Sequence, residues 1–289
     1  MKDDPLHFTL WDVGYGISIW IRTPNGQDHW IDLGRTSEFS PSEYVSKTHS
    51  LPSVDYLIIS RPDKDHLEDL TPFRDCFRLP ERLYFNHTIP ETDLFGDLTQ
   101  EYQQKFVDIA RKFVVPSCSE TSPTCPSQNG GIRYAIHDLD HGSTVSDAVL
   151  PGSPAIEKNN TSVVVMLLYA GVLFVCPGDI EPLGWRELWH HHSASYQHLI
   201  AHSHARFLVA PHRGHKRAYC EEMMQAIKPH ATFINDVWGE SEVHPSYRDD
   251  PIGIPYRQSG CRRSFSTRRA GFVQITVFPS GEHSILQRN

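Results

Sequence analysis

The sequence predicts a mixed α/β (α+β) fold, because it contains both short strand patterns and amphipathic helical patterns. The clearest strand covers residues 54–59, an apolar and β-branched run bounded by Pro52 and Pro62. A second apolar stretch, residues 163–176, is interrupted by an Ala-Gly pair and predicts a β-hairpin. Apolar side chains at helical spacing predict a helix that packs on a sheet, and they are Leu98, Tyr102, Phe106, Ile109 and Phe113.

The composition limits the classes of function. With 289 residues, of which 39% are hydrophobic, the chain can bury a substantial core. Its formal net charge of -8 argues against a generally basic surface, so any contact with nucleic acid must come from a local patch. Basic clusters occur at residues 212–217, 262–263 and 268–269. They could contact phosphates or form a solvated face, and the sequence leaves both interpretations open.

The sequence also bears on location. The apolar stretch 163–176 is shorter than the roughly 20 residues that cross a bilayer, and the first five residues lack the apolar core of a signal peptide. We therefore expect a cytoplasmic protein with no membrane segment. Six cysteines without CxxC spacing predict free thiols, and they are Cys76, Cys118, Cys125, Cys176, Cys220 and Cys261.

Three strand patterns open the chain, at residues 7–13, 17–21 and 28–32. The turn Pro24-Asn25-Gly26 before the third is a strong hairpin signal, so we expect a β-meander. Asp12 and Asp32 lie near strand ends. Each would either cap a turn or orient metal ligands, and both roles remain open.

Potential metal ligands follow the strand pattern at residues 54–59. Asp63, Asp65 and His66 lie on the turn that leaves this strand, and His66 begins a short predicted helix. Asp179 follows the second strand of the predicted hairpin in the same way. Because active sites of α/β proteins usually collect at the carboxyl ends of strands, these residues are candidates for one site.

Histidines follow two later strand patterns. His212, Arg213 and His215 come directly after residues 207–210, and His244 follows a pattern at residues 231–235. A divalent ion needs carboxylate or imidazole ligands that converge from several elements, and these histidines add imidazoles to the aspartates.

Three consecutive histidines, 190–192, lie on a helix predicted over residues 185–192. Adjacent helical residues point in different directions, so this run is interpreted as a solvated helix end and not as a metal site.

These motifs together resemble the ComEC-type hydrolase domain of the metallo-β-lactamase fold. WDVGYGISIWIRTPNGQDHWIDLG is similar to the opening DVGQGD and IDGG elements, and RPDKDH is similar to HxHxDH in its HxDxDH form. NNTS with the following hairpin and GD, then HRGH and a late HP, match in the same order. The resemblance extends from about Leu6 to Ile285.

The resemblance implies a four-layer αββα sandwich, in which two mixed sheets face each other with helices outside. It places the metal site at one edge between the sheets. We expect a single domain over residues 1–289, with a divergent helix-plus-loop insertion around residues 86–131, where the match is weakest.

The resemblance also implies a ligand set. Asp65, His66, Asp179 and His244 occupy the positions of one complete metal site, with Asp179 as the bridging carboxylate when two ions bind. Asp63 belongs to the second site. We expect Zn²⁺ or Mn²⁺, and one ion in preference to two, because ligands of the second site are missing.

One of those missing ligands is replaced by Arg61. The other would come from the poorly matching middle, where His87 or His141 could supply it. A guanidinium cannot bind a metal, so Arg61 would pair with Asp63 or Asp179, bind a substrate phosphate, or lie near the site without a role.

Other departures from the family pattern fall close to the same site. They are Tyr15 for a glutamine, Ile17 for an acidic residue, Arg213 for the second histidine of HHGS, and His215 for its serine.

The function implied is hydrolysis of a phosphodiester, most simply by a DNase or RNase. Asp63 or Asp65 would accept a proton, and His212 or His215 would stabilise the leaving oxygen. The catalytic candidates are Arg61, Asp63, Asp65 and His212, and the substrate-binding candidates are Arg61, His212, Arg213 and His215. The alternative is a degenerate binding or regulatory module that works with a partner protein, as the departures from the family pattern suggest.

Overall fold

Two mixed β-sheets face one another at the centre of the fold. The computed structural model describes residues 4–90, 101–113, 124–146, 148–150, 158–235, 242–256, 260–268 and 270–288. The strands are β1 Leu6–Trp11, β2 Ser18–Arg22, β3 Asp28–Leu33, β4 Tyr56–Ile58, β5 Arg82–Tyr84, β6 Arg133–His137, β7 Val164–Tyr169, β8 Val172–Cys176, β9 Ala205–Val209, β10 Ala231–Ile234, β11 Ile254–Pro255, β12 Cys261–Arg262, β13 Ser264–Ser266, β14 Phe272–Val277 and β15 His283–Arg288.

The larger sheet has the strand order β15-β14-β1-β2-β3-β4-β5. It is antiparallel from β15 to β3 and parallel from β3 to β5. The smaller sheet has the order β13-β10-β9-β8-β7-β6, with antiparallel pairing only among β6, β7 and β8. The parallel pairs β3–β4 and β8–β9 require the chain to cross over between their strands. The carboxyl ends of the two strands in each pair therefore lie at the same edge of their sheet.

The described helices are α1 Pro41–His49, α2 Lys64–Leu67, α3 Leu70–Cys76, α4 Glu101–Ala110, α5 Pro182–Ala201, α6 Glu221–Ile227 and α7 Ser246–Asp249. Helices α1, α3 and α4 pack on the outer face of the larger sheet through Val45, Phe73 and Phe106. Helices α5 and α6 cover the outer face of the smaller sheet. The predicted four-layer αββα architecture is confirmed.

The main core lies between the two sheets. The rings of Phe8 in β1 and Phe174 in β8 stack across it with centroids 4.3 Å apart. Strands β7 and β8 are buried along their whole length, because one face meets the other sheet and the opposite face meets α5. This double burial explains why the stretch 163–176 is apolar without alternation.

The hairpin predicted in that stretch is confirmed. Ala170 and Gly171, which join β7 to β8, have φ angles of 46° and 80°. Two consecutive left-handed residues make the tight turn whose twist matches that of the flanking strands.

Helix α5 corrects a predicted boundary. The sequence prediction ended this helix at His192, whereas the helix continues to Ala201. Tyr196 and Leu199 are buried against the sheet and hold the additional turns in place. The histidines at 190–192 therefore lie in the middle of a helix, where His191 Nε2 donates a 2.9 Å hydrogen bond to the Glu187 carboxylate.

The central insertion is only partly described. Helix α4 confirms part of the predicted amphipathic helix, whereas Leu98, residues 114–123 and Cys118 lie outside the described residues. The other five cysteines are free, as predicted. Among the described helices, none combines the length and the apolar character needed to cross a membrane.

A buried histidine joins the two sheets away from the strand ends that carry the candidate ligands. His29 in β3 is fully buried, and its Nδ1 shares a 2.8 Å hydrogen bond with the hydroxyl of Tyr134 in β6. Burial lowers the pKa of His29 from 6.5 to about 3. The folded protein therefore holds this imidazole neutral at pH values where the unfolded chain protonates it.

This difference predicts a pH dependence of stability. Below pH 6.5 the unfolded state takes up the proton first, so the free energy of unfolding falls by about 1.4 kcal/mol per pH unit until about pH 3. Urea unfolding at pH 7 and at pH 5 would measure this change. Between these pH values the free energy of unfolding should fall by about 2 kcal/mol more in the wild type than in His29→Gln. His198→Gln, at an exposed position, is the control. Equal losses in the wild type and His29→Gln would contradict the prediction.

Candidate metal centre

The candidate site lies where the turn after β4 meets the turn after β8. Asp65, His66 and Asp179 each present one ligand atom, and these atoms lie within 4.8 Å of one another. His66 and Asp179 are buried, while the Asp65 side chain is 30% exposed. The structure thus brings three of the predicted ligands together from two distant parts of the chain.

Asp32 fixes the orientation of the His66 ring. Its Oδ2 lies 2.9 Å from His66 Nδ1, and its two oxygens accept hydrogen bonds from the Ser60 backbone N–H and hydroxyl. With Nδ1 held by Asp32, Nε2 of His66 faces Asp179 Oδ2 at 3.2 Å. Of the two roles left open for Asp32, orienting a ligand is the one the structure supports.

The charges of this group are strongly coupled. Burial lowers the pKa of His66, but the carboxylates of Asp32 and Asp179 outweigh it and raise that pKa well above 6.5. Burial raises the pKa of Asp179, but His66 and Arg61 outweigh it and hold that pKa well below its usual value. Asp179 is therefore ionised and compensated by positive partners on two sides.

Arg61 is the second of these partners. Its Nη2 lies 2.9 Å from Asp179 Oδ2 and 2.6 Å from Asp63 Oδ2. Its Nη1 donates to Asn159 Oδ1. Lys158 Nζ reaches the other oxygen of Asp63 at 2.5 Å. The predicted pairing of Arg61 is confirmed for both aspartates.

The residue types in this group suit a divalent ion. Two carboxylates and an oriented imidazole match the ligands that Zn²⁺ and Mn²⁺ accept. His212 Nδ1, buried beside this group, has no hydrogen-bond partner among the described residues. At the second position, by contrast, Asp63 is already bound by the two cationic side chains of Arg61 and Lys158, which would repel an ion.

His212 lies next to the three ligands. It has a left-handed φ of 47°, and its backbone N–H donates to the Gly178 carbonyl just before Asp179. Burial lowers the pKa of His212, although Asp179 opposes this, so its ring is neutral near pH 7. A neutral ring at this place can accept or donate one hydrogen bond.

Three other residues predicted for the site, Arg213, His215 and His244, lie outside the group of Asp65, His66 and Asp179. Arg213 approaches Asp65, with 3.9 Å between Nη1 and Oδ2. His215 lies further out, where its Nε2 is 3.5 Å from Glu242. The structure does not bring His244 into the group of three ligands, because its ring stacks on Tyr219 with centroids 3.9 Å apart.

Two contributors were missed by sequence reasoning. Lys158 supplies a cation to Asp63, and Asn159 supplies a hydrogen-bond acceptor to Arg61. Asn159 opens the NNTS motif, which is the sequence signal for this segment. Its next residue, Asn160, accepts from the backbone of Glu181 and Gly184 and so ties this segment to the start of α5.

Two facing mixed sheets with helices outside, and carboxylates and an imidazole gathered at one edge, have the architecture of the metallo-β-lactamase fold. No protein-family model matches the chain. It is 22% identical over 252 residues to ComE operon protein 3 of Bacillus subtilis (strain 168). That match covers 81% of this chain and 29% of the length of the relative. This match confirms the predicted resemblance to ComEC-type proteins.

Solved structures are also similar at low identity. The metallo-β-lactamase-fold protein YhfI from Bacillus subtilis has a TM-score of 0.33 and 13% identity, covering 62% of this chain and 64% of that one. A diphosphatase from the PhnP family has a TM-score of 0.40 and 13% identity, and the match covers 79% of this chain and 85% of that one.

The network predicts that Arg61 stabilises the metal-free protein. Arg61→Ala would leave the buried Asp179 with one positive partner fewer, so the free energy of unfolding should fall by about 3 kcal/mol in urea with chelator present. The exposed pair of Lys47 and Glu43 gives the control, because solvent screens this pair and Lys47→Ala should leave the free energy of unfolding almost unchanged. A loss no larger than that of the control would show that Arg61 is not needed for charge compensation.

Proposed function

We propose that this protein is a one-metal phosphodiesterase that acts on DNA or RNA. The observation that carries the proposal is the group formed by Asp65, His66 and Asp179, in which Asp32 turns Nε2 of His66 towards Asp179. Zn²⁺ or Mn²⁺ would be held by these three residues. When bound, such an ion polarises a phosphoryl oxygen and lowers the pKa of a bound water to about 7.

Residues of the chain supply the other parts of the reaction. Asp65 is the better proton acceptor, because Asp63 is already paired with Arg61 and Lys158. The neutral ring of His212 is positioned to donate a hydrogen bond to the leaving oxygen. Arg61 supplies a fixed positive charge that a phosphate oxygen can share with Asp63.

Metal binding gives the first test of this proposal. The wild type, stripped with chelator and titrated with Zn²⁺ or Mn²⁺ in a calorimeter, should bind about one ion per chain. Asp179→Asn removes the carboxylate at the centre of the group and should weaken binding at least about tenfold. Asp108→Asn, an exposed aspartate on α4, should bind as the wild type does.

Cleavage gives the second test. The loaded protein should hydrolyse fluorescent single-stranded DNA or RNA, and Asp179→Asn should lower the rate by at least about 100-fold. No cleavage of DNA or RNA in Zn²⁺, Mn²⁺ or Mg²⁺, with Asp179→Asn indistinguishable from the wild type, would exclude the proposed reaction.

The alternative is a binding or regulatory module without catalysis that works beside another protein. The contact that favours it is Arg61 on Asp179, because the guanidinium occupies the same Oδ2 that faces His66. Under this alternative the wild type binds no ion tightly. Arg61→His then becomes informative, since restoring an imidazole should increase the number of ions bound and produce activity.

A further inference from the structure

An exposed tyrosine lies on a loop that contacts the candidate metal centre. Tyr15 lies in the loop between β1 and β2, and 57% of its surface is exposed. That exposure exceeds those of the other described large hydrophobic residues on the surface, such as Ile252 at 51% and Phe278 at 42%. Large aromatic side chains are normally buried, and an exposed one close to a functional site is a candidate contact for a ligand.

The backbone that carries Tyr15 is fixed on the metal centre. A Cβ atom at Gly16 would lie 2.4 Å from the Asp65 carbonyl oxygen, so only glycine allows the loop to come this close. Asn235 donates a 2.8 Å hydrogen bond to the Gly16 carbonyl from the other sheet. Because the loop is held from two sides, Tyr15 is presented with little conformational entropy left to lose on binding.

Arg213 connects Tyr15 to the ligand Asp65. Its guanidinium carbon lies 5.2 Å from the centre of the Tyr15 ring, and its Nη1 donates a 2.7 Å hydrogen bond to the Tyr15 carbonyl. The same Nη1 lies 3.9 Å from Asp65 Oδ2. The aromatic ring is thus one side chain away from a candidate metal ligand.

The backbone at Arg213 adopts a costly conformation to reach this position. His212 and Arg213 have φ angles of 47° and 59°, and the left-handed region is unfavourable for residues other than glycine. Such strain persists where surrounding contacts enforce it, and it concentrates at functional sites. Here it places one cation against both Tyr15 and Asp65.

From this geometry we infer that Tyr15 is a stacking platform for a base of single-stranded nucleic acid, and that Arg213 holds the platform. The inference rests on the proposed function and specifies its substrate. One part of the Tyr15 ring faces the guanidinium, and the exposed part can stack on a base whose neighbouring phosphate enters the metal centre. In a duplex the bases are already stacked on one another, so a single strand is the form that this platform binds.

Equilibrium binding without metal isolates the platform from turnover. Fluorescence anisotropy in chelator would compare a labelled deoxythymidine dodecamer with an abasic deoxyribose-phosphate dodecamer of the same charge. The wild type should bind the dodecamer with bases about tenfold more tightly, because stacking is available only to that probe. A labelled hairpin duplex of equal length should bind no better than the abasic strand.

Substitutions at Tyr15 then identify the residue responsible. Tyr15→Ala should remove the tenfold difference, whereas Tyr15→Trp should keep it within about threefold, because indole also stacks. Phe278→Ala removes another exposed aromatic ring, from the turn between β14 and β15, and should behave as the wild type does. Melting temperatures of all variants check that each is folded.

The outcomes separate this inference from the proposed reaction. Equal binding of the two dodecamers by the wild type, no binding of either, or an unchanged preference in Tyr15→Ala overturns the platform. If the abasic strand is then still cleaved in Zn²⁺ or Mn²⁺, the phosphodiesterase stands without it. If the preference for bases depends on Tyr15 but no strand is cleaved, the platform stands in a binding module and the proposed reaction fails.

Discussion

A buried carboxylate that requires positive partners is the constraint on which this site depends. Asp179 is only 2% exposed, and an ionised carboxylate at such a place costs several kcal/mol unless it is compensated. His66 approaches from one direction and Arg61 from another. Both belong to the turn after β4, so this turn must stay docked on the loop that follows β8.

That docking also links the two sheets. Asp32 lies in β3 and Ser60 follows β4 of the larger sheet, and the Ser60 carbonyl accepts a 2.8 Å hydrogen bond from the backbone N–H of Val163, just before β7. A Cβ atom at Gly178 would lie 2.9 Å from Ser60 Cβ, and its φ of 59° suits glycine. The packing of the sheets and the geometry of the site are therefore coupled, because the same short contacts define both.

The departures from the family pattern form a connected set. Arg61 pairs with Asp63 and Asp179, while Arg213 approaches Asp65 and covers part of Tyr15. A guanidinium carries a permanent charge but cannot activate a water molecule as a metal ion does. Arg61 therefore compensates the charge of Asp63 and Asp179 without supplying the chemistry of an ion.

The sequence by itself determined the strands and the places where the ligands enter. Residues 54–59 and 163–176 are apolar and bounded by turn residues, and such local patterns fix local structure. The spacing of Asp63, Asp65 and His66 after the first strand, and of Asp179 after the hairpin, then indicated a metal site. Only the tertiary structure decided which side chains meet. It joined Lys158 and Asn159 to Asp63 and Arg61, placed His244 on Tyr219, and brought Arg213 to Tyr15. These contacts join residues up to 198 positions apart, and their partners are chosen by how the sheets and loops pack, which no local pattern encodes.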